Sequence, residues 1–219
     1  MHRTRFGHLI ALALFVSCAP RPSMSANPDL QSVPAFRAAA DQGEDAAKDI
    51  ALAYDRICLA AFPDEMKLQN TLAGFSAVEM NQTEVRAMLH DDPGRGWRLP
   101  GTPFTVTVEA PPYRTCAVRR MTREGLPTAK PYIAVLNAYS QQRGLLRGPV
   151  QRIDRQLPSG ADTMLLATGL LRPGTSQIVE TSIYATTNYH GRFDAARQPD
   201  AAGGVGVEVR LAHQIMSPP

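Results

Sequence analysis

The triplet His90-Asp91-Asp92 is the sharpest place in this sequence to look for chemistry. A histidine beside two carboxylates can bind a divalent metal or move a proton, and Gly94, Gly96 and Trp97 follow directly. A metal site needs three or four ligands, however, and His190 and His213 stand at no spacing that marks them as partners. The competing reading is a helix end followed by a Pro93-Gly94 turn, with Trp97 packed into the core. His190 reads as a surface residue of a polar loop, and His213 as a solvated residue on the polar side of the last strand. Neither a metal nor another cofactor is expected.

The three cysteines are Cys18, Cys58 and Cys116, an odd number that asks for an explanation in an exported chain. Cys18 follows the apolar run of residues 9–16, which is preceded by His2, Arg3 and Arg5. A short basic region before a short apolar run is the pattern of a secretory signal peptide. Eight residues rise only about 12 Å as a helix, far less than the roughly 30 Å of a bilayer core. Phe15-Val16-Ser17-Cys18 resembles the lipobox of bacterial lipoproteins, whose cysteine is acylated and becomes the first mature residue. It departs from that pattern in placing leucine at Leu14 and phenylalanine at position 15. Ordinary cleavage near Ser25 or Ala26 is the alternative. If Cys18 carries lipid, Cys58 and Cys116 remain as an even pair suited to a disulfide in an oxidising compartment. Two buried free thiols are the other reading, and neither cysteine has the neighbours of a metal site.

Charge is distributed unevenly. Residues 27–95 hold twelve acids and six bases, and residues 111–160 hold nine bases and two acids. Arg114, Arg119, Arg120, Arg143, Arg147, Arg152 and Arg155 could therefore form a face for an anionic partner, with Arg119, Arg120, Arg152 and Arg155 the leading candidates. The alternative is mutual neutralisation of basic and acidic elements at the surface. Adjacent residues of a strand face opposite ways, so Arg119 and Arg120 cannot both point at one site. The formal charge of +3 falls to about +1 once Arg3 and Arg5 are removed, and no aromatic interleaving favours nucleic acid. A Gly-x-Ser-x-Gly elbow, Ser-x-x-Lys, His-Glu-x-x-His and a phosphate-binding glycine loop are all missing from the sequence.

The elements that must position these residues follow from periodicity. Between 45 and 62, Ile50, Tyr54, Ile57, Cys58 and Ala61 recur at helical spacing, which puts Cys58 on a buried stripe. Pro63 ends that helix, and Asp64 caps a second that carries Leu68 and Leu72 and stops at Gly74. Asn81-Gln82-Thr83-Glu84 has capping-box spacing and opens a third helix presenting Val85, Met88 and Leu89. After Gly96 the period becomes two: Phe104, Val106 and Val108 form one buried face, and Cys116 and Val118 another. A helix is expected near 131–143, then strands over 150–157, 162–171, 176–187 and 204–214, with Arg172-Pro173-Gly174-Thr175 as a turn.

Helices first and strands afterwards imply an α+β fold, with N-terminal helices packed on one face of a mostly antiparallel sheet of five or six strands. Residues 1–17 read as signal peptide, 18–34 as a tether rich in proline and small residues, and 35–216 as one domain. Cys58-Leu59-Ala60-Ala61-Phe62-Pro63, Gly96-Trp97 and Cys116-Ala117-Val118 resemble segments of a group of uncharacterised bacterial envelope proteins and lipoproteins, over about 58–118. That resemblance implies an envelope location and a helix-to-strand disulfide, and brings no activity with it.

The expectation is thus an exported, lipid-anchored protein of the bacterial cell envelope, facing the periplasm, with a non-catalytic binding or structural role. Its partners would be the membrane, through the anchor, and an anionic envelope component or another envelope protein, but not nucleic acid. The alternatives are a soluble periplasmic or secreted protein, a hydrolase-like enzyme using His90 with Asp91 or Asp92, and an anion-binding domain built on the arginine-rich region.

Overall fold

Glu44 and Asp45 complement the dipole of the first turn of α1 (Glu44–Tyr54), and Ala46, Ala47, Ile50, Ala53 and Tyr54 bury one side of it. In the computed structural model, which describes residues 43–90, 92–122, 125–158, 160–190 and 206–216, this helix runs into a π-helical turn over Asp55–Leu59. Next come α2 (Glu65–Gly74), β1 (Val78–Glu79), α3 (Gln82–Leu89), β2 (Gly94–Arg98), β3 (Phe104–Glu109) and β4 (Thr115–Thr122). Then follow α4 (Lys130–Arg143), β5 (Leu146–Arg147), β6 (Gln151–Gln156), β7 (Asp162–Leu171), β8 (Ile178–Asn188) and β9 (Val207–Ile215). The predicted cap of α2 is present, the Asp64 carboxylate accepting from the Lys67 amide at 3.0 Å. The capping box of α3 is present too, between Asn81 and Glu84.

The strands form one antiparallel sheet in the order β1-β2-β3-β4-β9-β8-β7-β5, with β6 also paired to β7. The fold is α+β, as its sequence implies, but the sheet has nine strands, not five or six. The three additional strands have identifiable reasons for escaping detection. β1 and β5 are two residues each and exposed, too short for any period to register. β2 is Gly-Arg-Gly-Trp-Arg, with no apolar alternation. Its glycines are there because a Cβ at Gly94 would lie 2.4 Å from the Val108 carbonyl oxygen and 2.5 Å from Leu89 Cδ1.

Register settles which side chains share a face, because directly paired residues of neighbouring strands point the same way. Trp97, Val106, Val118, Leu211, Tyr184 and Leu166 form one continuous row across β2, β3, β4, β9, β8 and β7. α1, the π turn and α4 pack on this side and enclose the main core. α3 departs from the expected one-sided layer. Its Val85 and Leu89 lie over Gly96 and Gly94, on the opposite face of β2, and with Met80 they make a small core of their own.

Cys58 of the π turn and Cys116 of β4 form a disulfide that ties the helical layer to the sheet. Because 58 residues separate them, the chain-entropy model assigns the bond about 4 kcal/mol of stabilisation. Replacing both cysteines with alanine should therefore lower the free energy of urea unfolding by about 2–5 kcal/mol. The m-value should show whether a more expanded unfolded chain accompanies that loss.

Candidate functional site

The residues singled out by sequence are not gathered into one place. His90 is exposed and caps the end of α3 in the left-handed conformation (φ 52°), as the helix-end reading requires. Asp92 is half-buried, with its amide bonded to the Leu89 carbonyl. Asp91 and Cys18 lie outside the described residues. Among the described residues no group of three histidine, cysteine or acidic side chains is arranged to hold a metal ion.

The arginine face takes a different form from the one expected. Arg119 is 3 % exposed and Arg120 is 1 % exposed, so neither belongs to an open anion-binding surface. Burial reflects the position of β4 in the middle of the sheet, where both faces are covered. Arg120 lies under α1, donating to the Ala46 carbonyl at 3.3 Å and resting on the Phe104 ring at 5.6 Å. Arg119 points to the other face, where it donates to Thr107 and stands opposite Arg210, with Glu208 at 3.9 Å. Burial, with Arg210 adding to it, pulls the Arg119 guanidinium down to about 10. On that face burial also pushes the Glu109 carboxyl up, against the pull of Arg119 and Arg210. Arg152 and Arg155 are exposed on β6, with three strands between them and β4, a separation of about 19 Å at ordinary strand spacing. Arg152 is held by both oxygens of Asp154, at 2.8 and 3.1 Å.

The most concentrated polar chemistry lies where Cys58 docks. In the π turn the Phe62 amide bonds the Ile57 carbonyl, so the backbone donor for the Cys58 carbonyl would come from residue 63. That residue is Pro63, which has no N–H. His213 of β9 supplies the donor instead, with Nδ1 2.8 Å from the Cys58 oxygen. A carbonyl can only accept, so Nδ1 carries a hydrogen. The other ring nitrogen, Nε2, is hydrogen-bonded to Oε2 of Glu180 on β8 at 2.9 Å, and the Tyr139 hydroxyl of α4 donates to the same oxygen at 2.8 Å. Burial raises the Glu180 carboxyl, yet donation from His213 and then Tyr139 outweighs it and holds the group below its ordinary value.

His213 is therefore no surface histidine: its side chain is fully buried. The strict alternation of Val207, Val209 and Leu211 extends to position 213 by parity, and this is the signal that would have placed it on the core face. Beside it, Ser182 serves two tyrosines, Tyr54 at 2.6 Å and Tyr132 at 2.9 Å, and Tyr54 also donates to the Ala212 carbonyl. This constellation has the residue types of a proton relay, but each member is spent on a neighbour.

Open space lies elsewhere. Past the start of α4, residues of β6, β7, β8 and the first residue of β9 line a cavity of about 650 Å³, with Gly125 and Leu126 along one side. Asp154, Arg155, Gln156, Asp162, Thr163, Thr186 and Asn188 contribute its polar wall, and Leu126, Met164 and Val207 its apolar one. The register places Asp162, Asn188 and Val207 in an outer row, Met164 and Thr186 in the next, and Tyr184 further in. Asp162 is bonded to His190 at 2.7 Å and to Gln156 at 3.4 Å. Of the lining residues the sequence marked only Arg155, as an anion-binding candidate, because polar residues at strand ends read as turns. Their convergence depends on the β6–β9 register.

No known protein family, curated protein or solved structure matches this chain.

Glu180→Gln tests the buried network. Removing one partner of a buried pair should cost about 3 kcal/mol at pH 7. Because folding lowers the Glu180 pKa, the contribution of this carboxylate is complete above the unfolded value, about 4.3, and is lost as pH falls through the folded one. The stability gap between wild type and Glu180→Gln should thus narrow below about pH 4, which denaturant unfolding at several pH values measures.

Proposed function

We propose that this chain is an exported protein of the bacterial cell envelope, tethered through an acylated Cys18, whose disulfide-stapled domain binds a partner without catalysis. The observation that carries this reading is the Cys58–Cys116 bond. With two of three cysteines joined to each other, Cys18 is left for another purpose, and it stands directly after a short apolar run with a basic start. A disulfide linking the helical layer to the centre of the sheet also favours an oxidising compartment over the cytoplasm. Residues 18–34, rich in proline and small polar residues, fit a spacer between a lipid and the domain.

The non-catalytic role is supported by how the buried ionisable groups are used. His213, Glu180 and Tyr139 direct their polar atoms at one another and at Cys58, leaving the network occupied by the protein itself. The cavity beside Tyr184 is where a partner has room to enter.

The intact mass of the native protein from the envelope fraction, taken without reduction, tests the reading. The expected species begins at Cys18, carries acyl chains and lacks the two protons of a Cys58–Cys116 disulfide. A Cys18→Ala chain should leave the membrane pellet for the soluble fraction. A mature chain starting near Ala26 without lipid would contradict the tether.

A further inference from the structure

The sheet is open and ends in two edges. At one of them β1 is two residues long, and its Glu79 is held by Arg95 at 2.8 Å. At the other, β5 and β6 lie one after the other along the same side of β7. Arg147 pairs with Leu170 and Gln151 with Ala167, so a step of four residues along this edge matches a step of three in β7. The extra residue is a bulge, in a stretch that contains Gly148 and Pro149. Beyond it β6 runs in regular register with β7 from Gln151 to Gln156. Among the described residues, no backbone group bonds the outer side of β6.

An open strand edge is a template for another strand, and charge on the edge ordinarily keeps other strands away. β6 carries Arg152, Asp154 and Arg155, all exposed. Arg152 and Asp154 share one face, paired with Leu166 and Met164 of β7, and their side chains are 67 % and 58 % exposed. Ile153 points to the other face, beside Leu165.

The order of these charges selects one way for the edge to meet itself. When two copies of a strand pair antiparallel about a two-fold axis, facing residues point to the same side, so the axis must pass at a residue. An axis at Arg152 or at Arg155 sets guanidinium against guanidinium, and one at Asp154 sets carboxylate against carboxylate. An axis at Ile153 sets Arg152 of each copy opposite Asp154 of the other, and Gln151 opposite Arg155. The bidentate Arg152–Asp154 pair of each chain then becomes half of a square of alternating charge. On the reverse face Ile153 meets Ile153 and joins the Leu165 side chains of both copies in one apolar strip.

We propose that β6 pairs antiparallel with β6 of a second copy about a two-fold axis at Ile153, making the protein a symmetric dimer whose sheet continues from one copy into the other. Asp154 lines the cavity beside Tyr184, so the second copy brings its Arg152 to the cavity wall. The inference goes beyond the binding role proposed above and does not depend on the tether.

The test uses the exported chain carrying Cys18→Ala, with its disulfide intact, so that neither lipid nor detergent adds to the mass. A joint one strand long is small, and sedimentation velocity should find a reversible dimer with a Kd of about 10–100 μM. Asp154→Arg and Arg152→Asp each turn the facing pairs into like charges and should raise that Kd about tenfold or more. Both positions are exposed, and circular dichroism of each variant should match wild type. Mixed in equal amounts, the two variants regain opposite charges at both positions and should form a heterodimer of wild-type affinity. Cross-linking reads the register: under mild oxidation Ile153→Cys should join two copies, whereas Gln151→Cys, about 13 Å from its own mate, should not. A chain that stays monomeric well above that Kd, a dimer indifferent to both charge changes, a mixture that fails to associate, or cross-linking at position 151 and not at 153 would each overturn the inference. Uptake of an extended acidic peptide by a chain that stays monomeric would likewise overturn it, assigning the edge to another protein.

Discussion

Cys58 is the point on which the two layers of this fold are joined, and the joint is both covalent and hydrogen-bonded. Its sulfur is bonded to β4 and its carbonyl is bonded to β9, so one residue of a helical turn is fixed to two adjacent central strands. The carbonyl is free for this use because the π turn passes its hydrogen bond forward to a proline. From His213 the connection runs to Glu180 on β8 and on to Tyr139 of α4. Five elements are thereby held in a single register, in a region where unsatisfied polar groups would be expensive.

On either side of that joint the sheet differs in how it is covered. Over β4, β9 and the early half of β8, the helices cover the sheet, and Ser182 pairs internally with Tyr54 and Tyr132. Toward the other ends of β7 and β8 the helical layer gives way to an open cavity, and Tyr184 stands at the boundary between the two.

Much of this architecture was legible in the residue pattern. The helical stripe that buried Cys58, the caps at Asp64 and Asn81, and the alternation of Phe104, Val106 and Val108 all correspond to elements of the fold. Where periodicity was weak, the expectation fell short for physical reasons. In β2 the glycines that admit α3 remove the apolar signal, and α3 consequently lies on the face opposite the other helices. Arg119 and Arg120 carried a surface composition into a doubly covered strand, where Thr107, Glu208, the Ala46 carbonyl and the Phe104 ring accommodate them. His213 was readable by parity but masked by the habit of assigning polar residues to solvent. The cavity was not readable at all, since its walls come from four strands whose register no local motif encodes.

The central claim is that Cys58 docks the helical layer as a unit, and native-state amide hydrogen exchange on the selectively reduced protein tests it most directly. The account predicts that α1, the π turn and α4 lose protection together, at one common opening free energy, while β7 and β8 remain protected. Helical amides that keep their protection after reduction, or strands that open before the helices do, would contradict it.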